Sequence, residues 1–366
     1  MRVVVAPDSF KGTIGAADAA AALATGWRRV RPADEVIEIP LADGGEGTLA
    51  VLAATLAGSR WHAAEVSGPG RGMVVASWLE ISGNEHIIEL ATAAGLTQMD
   101  PLQPLDAHSY GVGQLIGHAL DAGARRVVVA LGGSACTDGG TGALAALGAR
   151  FLDAAGTDLP RGGGALTRLA RADLGALRPP PPGGVDCLTD VRAPLLGPGG
   201  AAAVFGPQKG AGPGDIAVLE AGLERLARML GGQPDAPGAG AAGGTGYGLA
   251  AAWDAALRPG AATVAAIAGL PAGLADAGLV ITGEGQYDAT SQSGKVVGTV
   301  LAGAAEAGVP AAVVAGVLSA PAPAGVLAVE LAELAGGRQA AMGDPARWLT
   351  AAARALAAAA AAAGSA

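Results

Sequence analysis

Two kinds of hydrophobic pattern alternate along the chain. VVVAP at 3–7 and VIEIP at 36–40 are short, β-branched and nearly continuous apolar runs, the form of strands buried on both faces of a parallel sheet. Between them Leu23, Trp27 and Val30 share one helical face, which predicts a βαβ unit. A second helix is predicted in LAVLAATLAG, where Leu49, Leu52 and Leu56 share a face, and WHAAEV at 61–66 reads as a returning third strand. The texture then changes. VSGPGRGMVVASWLEISGNEHIIELA has the Gly and Asn turns of antiparallel hairpins, which sets a domain boundary there.

Within the middle region, Ser109 is expected to cap a helix carrying Val112, Leu115, Ile116, Ala119 and Leu120, ended by Gly123 and followed by the strand VVVALG. PPPPGG at 179–184 reads as a loop, Asp215 as the cap of a helix with Leu219, Leu223 and Leu226, and the Gly/Ala/Pro stretch 231–248 as a long loop. From 279 the early texture returns: LVITG as a strand, a helix from near Lys295 to Gly308, then AAVVAG as the next strand. Asp344 followed by Pro345 starts the last helix. The expected fold is α/β: a doubly wound, mostly parallel, Rossmann-like domain from residues 1–65 and 275–366, with a second α/β domain of mixed sheet inserted at 66–274.

Composition narrows the function. A chain of 366 residues exceeds the roughly 250–300 at which single cores stop growing, which favours two domains. The 61 glycines and an aromatic content of 3% mean that helices pack through small side chains. A net charge of -9 without any Lys/Arg run excludes a nucleic-acid surface, which needs a basic stripe. Cys136 and Cys187 stand far apart without a CxxC spacing and read as free thiols of a reducing compartment. VVVAP is too short for a signal peptide, and Arg354 interrupts the C-terminal run AAARALAAAAAAAG, so neither export nor a membrane span is expected. A cytoplasmic protein acting on a small molecule fits, and a homodimer is compatible with it.

The polar residues converge after the predicted strands. DSFKG (8–12) follows the first, ADGGEG (42–47) the second, and TGEGQYD (282–288) follows LVIT. In an open parallel sheet ligands bind beyond the carboxyl ends of strands where the order reverses. With the order 3-2-1-4-5-6, Asp8, Ser9, Lys11, Asp43, Glu46, Glu284 and Asp288 would face one crevice. GGSACTDGGTG (132–142) adds a glycine loop fit for an anion. Only three lysines, Lys11, Lys209 and Lys295, stand against twenty arginines, and each lies in a glycine-containing motif. Several standard motifs fail: Ala289 and Val296 break a Walker A loop around SGKV, Cys136 breaks a nucleophile elbow at GGSAC, and no GxGxxG follows the first strand. His62, His86, His108 and His118 lack metal-ligand spacing. Carboxylates, glycine loops and isolated lysines suit phosphoryl transfer, in which a protein chiefly positions reactants and neutralises charge.

APDSFKG, PLADGGEGT, GGSACTDGGTG, FGPQKGA and ITGEGQYD followed by SGK, in this order across the chain, resemble the bacterial glycerate kinases of the GarK type, the type 1 family. The resemblance implies ATP-dependent, magnesium-assisted phosphorylation of D-glycerate to 2-phosphoglycerate. Alternatives are a kinase giving 3-phosphoglycerate and a hydroxy-acid oxidoreductase, the latter disfavoured by the missing glycine fingerprint. The chain departs from the family where GEGRxD becomes GEGQYD, with Gln286 for Arg, and where DVTNPL becomes DVRAPL, with Asp190 kept. Carried onto these positions, the resemblance implies Asp190 as first choice of base and Asp8 as second, with Lys11 and Lys295 also catalytic. Ser9, Asp43, Glu46, Lys209, Glu284 and Asp288 are expected to bind substrate. Gly132, Gly133, Ser134, Thr137, Gly139 and Gly140 are expected to bind phosphate. Asp138 and Asp190 are the expected magnesium ligands, with Glu284 and Asp288 competing for that role.

Overall fold

The computed structural model describes residues 1–292 and 294–363; Ser293 of the SGK motif and Gly364 of the C-terminal run lie outside the described residues. The chain forms two compact units, one from Met1–Asp43, Ala50–Ala57 and Gly260–Ala366, the other from Gly44–Leu49 and Gly58–Pro259.

In the first unit a five-stranded sheet runs, edge to edge, Leu327–Glu330, Ala311–Leu318, Leu279–Tyr287, Arg2–Val5, Glu35–Glu38. All four pairings are parallel. The apolar strand runs are explained by burial on both faces. Val3, Val5, Ile281 and Val314 pack with Leu23 and Trp27 of the helix Ala16–Val30 and with Leu349 and Leu356 of Pro345–Ala363. Tyr287, Val313 and Ala315 pack with Val297 of the helix Val296–Ala307. Val30, expected on the buried face of its helix, is 37% exposed, since the last turn runs past the edge of that packing. Asp344 caps the final helix, accepting from Arg347 N at 3.3 Å.

The second unit holds a six-stranded sheet in the order Ala256–Arg258, Val185–Leu188, Arg126–Ala130, Glu85–Glu89, Met73–Ile81, Arg60–Ser67. The first four strands are parallel and the last two antiparallel. Arg60–Ser67 contains the WHAAEV segment, which therefore pairs with Met73–Ile81 as the edge of a hairpin instead of returning to the first sheet. Its alternating exposure explains the difference, because a strand of a doubly covered parallel sheet would be apolar throughout. The turn at Gly83-Asn84 has both residues at positive φ, as the sequence pattern required.

Three further expectations change. Residues 241–248, the second half of the stretch expected as loop, belong to a buried helix, Ala241–Trp253, whose first turn carries left-handed Ala242, Gly243 and Gly244. Gly and Ala are weak helix signals in isolation, but here they allow the backbone to approach the 136–140 loop; a Cβ on Gly248 would meet the Gly139 carbonyl at 2.1 Å. The helix with Leu219, Leu223 and Leu226 starts at Pro213, so Asp215 is its third residue and accepts from Gly212 N at 3.0 Å. Strand Leu279–Tyr287 also runs on through GEGQY, which had been expected as loop, because Ala311–Leu318 pairs with it along its length.

Small residues set the close crossing of the helices Ala16–Val30 and Pro345–Ala363: a Cβ on Gly26 would lie 2.3 Å from the Thr350 carbonyl oxygen. Gly26→Ala is therefore expected to destabilise by about 2 kcal/mol through overpacking, although alanine is the better helix former. A urea midpoint that rises in this variant would overturn the close crossing.

Candidate functional site

In the first unit the strand Arg2–Val5 hands its pairing on to the residues that follow it. Ala6 N donates to Ile281 O at 2.7 Å, Asp8 N to Gly283 O at 2.8 Å, and Thr282 Oγ1 to the Ala6 carbonyl at 2.8 Å. This ladder sets Asp8 at the carboxyl ends of two adjacent strands, near Glu284, whose charge it feels. Ser9 N donates to Asp8 Oδ1 at 2.6 Å. Burial, with the charge of Asp43 next, raises the Asp8 carboxyl to about 7, against the opposing effects of Ser9 N and Lys11. Glu284 is 9% exposed and is also raised by burial, opposed by a hydrogen bond from Ser291 and the charges of Lys295 and Lys11. Its Oε1 has no hydrogen-bond partner among the described residues. Asp288 is lowered, chiefly by the Thr290 hydroxyl at 2.6 Å and the Thr290 N at 2.7 Å.

Lys11 Nζ stands 3.9 Å from Asp43 Oδ2, with the Lys11 side chain 81% exposed. Such a pair contributes little to stability, leaving the ammonium available to a bound anion. Asp8, Ser9, Lys11, Asp43, Glu284 and Lys295 line one pocket of 380 Å³. Asp288 and Gln286 line it too, and its remaining wall comes from Gly316, Val317, Leu331 and the segment 338–345.

The second unit gives its charged residues to its own loops. Asp138 is fully buried, and its Oδ2 accepts from Ser109 N at 2.8 Å, Ser109 Oγ at 3.0 Å and Gly142 N at 3.0 Å, while Oδ1 accepts from Gly140 N at 3.2 Å. Ser109 holds the N-cap position of Tyr110–Asp121 as expected, but its side chain makes no cap bond there; its Oγ accepts from Ala143 N at 2.9 Å. Lys209 is 3% exposed, and its Nζ donates to Cys136 O at 2.6 Å and Ser134 Oγ at 3.1 Å. Burial lowers this amine to about 8, opposed by Cys136 and Asp138. Gly139 N donates to Gly243 O and Gly132 N to Gly44 O. Thr137 Oγ1 donates to Pro104 O at 2.6 Å. Gly139 and Gly140 have φ of 61° and 79°, and added Cβ atoms would strike Leu226 at 2.4 Å and Thr245 O at 3.0 Å. Glu89 holds the GGEG loop: its carboxylate accepts from Gly47 N at 3.1 Å and Leu49 N at 3.2 Å. Asp190 follows the strand Val185–Leu188 in a half-buried position.

Against this geometry, residues 3–361 match the model of the glycerate kinase family. The chain belongs to that family. It is 40% identical over 308 residues to the glycerate 2-kinase of Escherichia coli K12, covering 81% of this chain and 80% of that protein. It is 41% identical over 305 residues to the glycerate kinase of Bacillus subtilis 168, covering 81% and 79%. The crystal structure of a Salmonella typhimurium LT2 protein, described as a candidate glycerate kinase 2, aligns over 100% of both chains with a TM-score of 0.88 and 39% identity. Membership makes this protein a kinase, and its doubly wound parallel sheet and second mixed sheet match the fold expected of the family.

For this family member several residues stand differently from expectation. Lys209 faces the interior and braces the 134–136 backbone instead of reaching toward solvent and an anion. The Asp138 oxygens accept from backbone N–H groups and the Ser109 hydroxyl, three bonds to Oδ2 and one to Oδ1, and so tie the 138–142 loop to Ser109. The N–H groups of Gly132, Gly139 and Gly140 already have acceptors, Ser134 Oγ takes Lys209, and Thr137 is tied to Pro104, so only Gly133 of the expected phosphate set is exposed. Glu46 belongs with the second unit and is exposed. Sequence reasoning missed Glu89, whose signal is a carboxylate ending the apolar run HIIE, and it missed Leu331, Arg338 and Met342, which carry no motif. No three His, Cys, Asp or Glu side chains among the described residues form a ready-made metal cage.

Lys209→Met should lower stability by about 2 kcal/mol, because the Cys136 carbonyl loses its donor in a buried setting. Urea unfolding of the ligand-free protein checks this, and a gain in stability, as expected on deleting a buried charge reserved for substrate, would contradict the bracing role.

Proposed function

We propose that the chain transfers the γ-phosphoryl group of ATP to D-glycerate with Mg²⁺, giving 2-phosphoglycerate in the cytoplasm. The observation that carries this reading is the pocket in which Asp8, raised to about 7, stands among Lys11, Lys295 and three further acidic residues. A general base works best with a pKa near the working pH, and Asp8 meets that condition. It would hold the acceptor hydroxyl and take its proton as the bond to phosphorus forms. Lys11 and Lys295 are compact positive charges suited to phosphate or carboxylate oxygens.

The residues present fit a magnesium ion. Mg²⁺ is usually held by one or two carboxylates together with substrate phosphates and water, so a complete protein cage is not needed. Asp43 and Glu284 would hold it, since Glu284 Oε1 is buried with no hydrogen-bond partner among the described residues and Asp43 lines the same pocket close enough to Asp8 for its charge to act there. The ion would supply neutralisation of charge on the transferring phosphoryl group. Asp288, already tied to Thr290, would orient the 288–295 segment and with it Lys295. Asp190 remains the competing candidate for the base.

The experiment is phosphorus NMR of the protein with ATP, magnesium and D-glycerate, comparing Asp8→Asn and Asp190→Asn. Formation of 2-phosphoglycerate is expected, with a loss of about 10²–10⁴ in kcat for Asp8→Asn and a kcat/KM that rises through about pH 7 in the wild type. A loss confined to Asp190→Asn would transfer the base to that residue, and 3-phosphoglycerate as product would overturn the regiochemistry. Stability gives an independent check. Because the folded pKa of Asp8 lies above its unfolded value, its contribution is fully present at pH below 3.8 and is lost as pH rises through about 7. Asp8→Asn should therefore raise the melting temperature at pH 8 relative to the wild type, and less so at pH 5.

A further inference from the structure

The pocket of the first unit offers more apolar wall than a three-carbon hydroxy acid can use. D-glycerate has a carboxylate, two hydroxyls and no apolar face, and the strand-end carboxylates and lysines already provide for such groups. Yet the same pocket continues over Leu331 and onto the helix Arg338–Gly343. On that helix Arg338, Ala341 and Met342 stand at i, i+3 and i+4, the spacing of one helical face, and all three line the pocket. Leu331 and Ala341 are buried, whereas Met342 is 47% exposed. Arg338 forms no salt bridge among the described residues, although the pocket it lines contains four carboxylates.

We propose that this wall seats the heteroaromatic base of a nucleoside triphosphate, and that its phosphates extend toward Lys11 and Lys295. Three features fit a flat, weakly polar ring bearing a polyanion. A guanidinium plane stacks on aromatic faces, a thioether makes favourable contacts with ring edges, and Leu331 with Ala341 gives a small apolar floor. The volume of 380 Å³ lies in the roughly 300–1,000 Å³ range of pockets for ligands larger than glycerate. The inference rests on the phosphoryl-transfer reading above, and adds which reactant this pocket takes and which residues recognise its base.

Calorimetric titration of the whole protein with ATP, inorganic tripolyphosphate and D-glycerate tests it, using Ala341→Leu, which fills the floor, and Arg338→Gln, which removes the stacking plane. Ala341→Leu is expected to weaken ATP about tenfold or more by overpacking the seat, and Arg338→Gln about threefold by loss of stacking. Tripolyphosphate and D-glycerate should bind both variants as they bind the wild type. Met342→Ser, on the exposed part of the wall, repeats the test should Ala341→Leu fail to fold. Equal losses for ATP and tripolyphosphate would make the wall a phosphate contact and overturn the proposal, as would weakened D-glycerate with unchanged ATP. If base-dependent loss appears while no phosphoglycerate forms, the inference stands and the proposed reaction falls; phosphoglycerate formation with ATP binding unmoved in every variant gives the reverse.

Discussion

Parallel pairing of Arg2–Val5 with Leu279–Tyr287 is the constraint on which the first unit's chemistry depends. Residues 276 positions apart meet at Thr282 Oγ1 and the Ala6 carbonyl, and the ladder continues to Asp8 N on Gly283 O. Extending backbone pairing beyond the end of Arg2–Val5 brings Asp8 close to Glu284 within the sheet's interior, with little water around them. Desolvation then raises both carboxyls, and Asp43 adds like charge to Asp8. A carboxyl poised near neutral pH at Asp8, beside Lys11, forms an environment whose charge a bound ligand can reset. The same arrangement costs stability above neutral pH, where Asp8 must ionise in a desolvated setting.

The second unit treats charge in the opposite way. Asp138, Lys209 and Glu89 are buried, but each is surrounded by the partners it needs: backbone N–H groups for the carboxylates, a carbonyl and a hydroxyl for the ammonium. Buried polar groups are tolerable when fully paired, and here pairing fixes the glycine-rich segments 44–49 and 132–142. Their glycines serve largely to admit neighbouring backbone. Gly132 has Gly45 Cα 2.4 Å from its would-be Cβ, and Gly139 has Leu226 at the same distance. A glycine-rich loop thus indicated close approach correctly, while the object approached is more of the protein.

Legibility followed the strength of the local pattern. VVVAP, LVITG and AAVVAG became parallel strands because continuous β-branched runs need cover on both faces, and Leu23 with Trp27 supplied part of it. WHAAEV has the same length, but its half-polar alternation assigns it to a hairpin edge. The helix 241–253 was hidden because its Gly and Ala residues are selected by the neighbours they touch, which no periodicity records. At the site, DSFKG, Asp43, Glu284 and Asp288 could be placed together from strand order alone. Arg338, Ala341 and Met342 could not, because their membership in the pocket depends on where a short helix after the fifth parallel strand comes to lie.

By itself the sequence determined the α/β class, the parallel core, the acidic and lysine-bearing strand ends and membership of the glycerate kinase family, since each is written in local pattern or in motifs with fixed spacing. Only the tertiary structure decided which charges face water and which are buried among loop partners. Lys11 and Lys209 look alike in sequence, each beside a glycine, yet one side chain is 81% exposed and the other residue 3% exposed. The physical reason is that an ammonium's role is set by the water and acceptors around it, and those are assembled from residues distant along the chain.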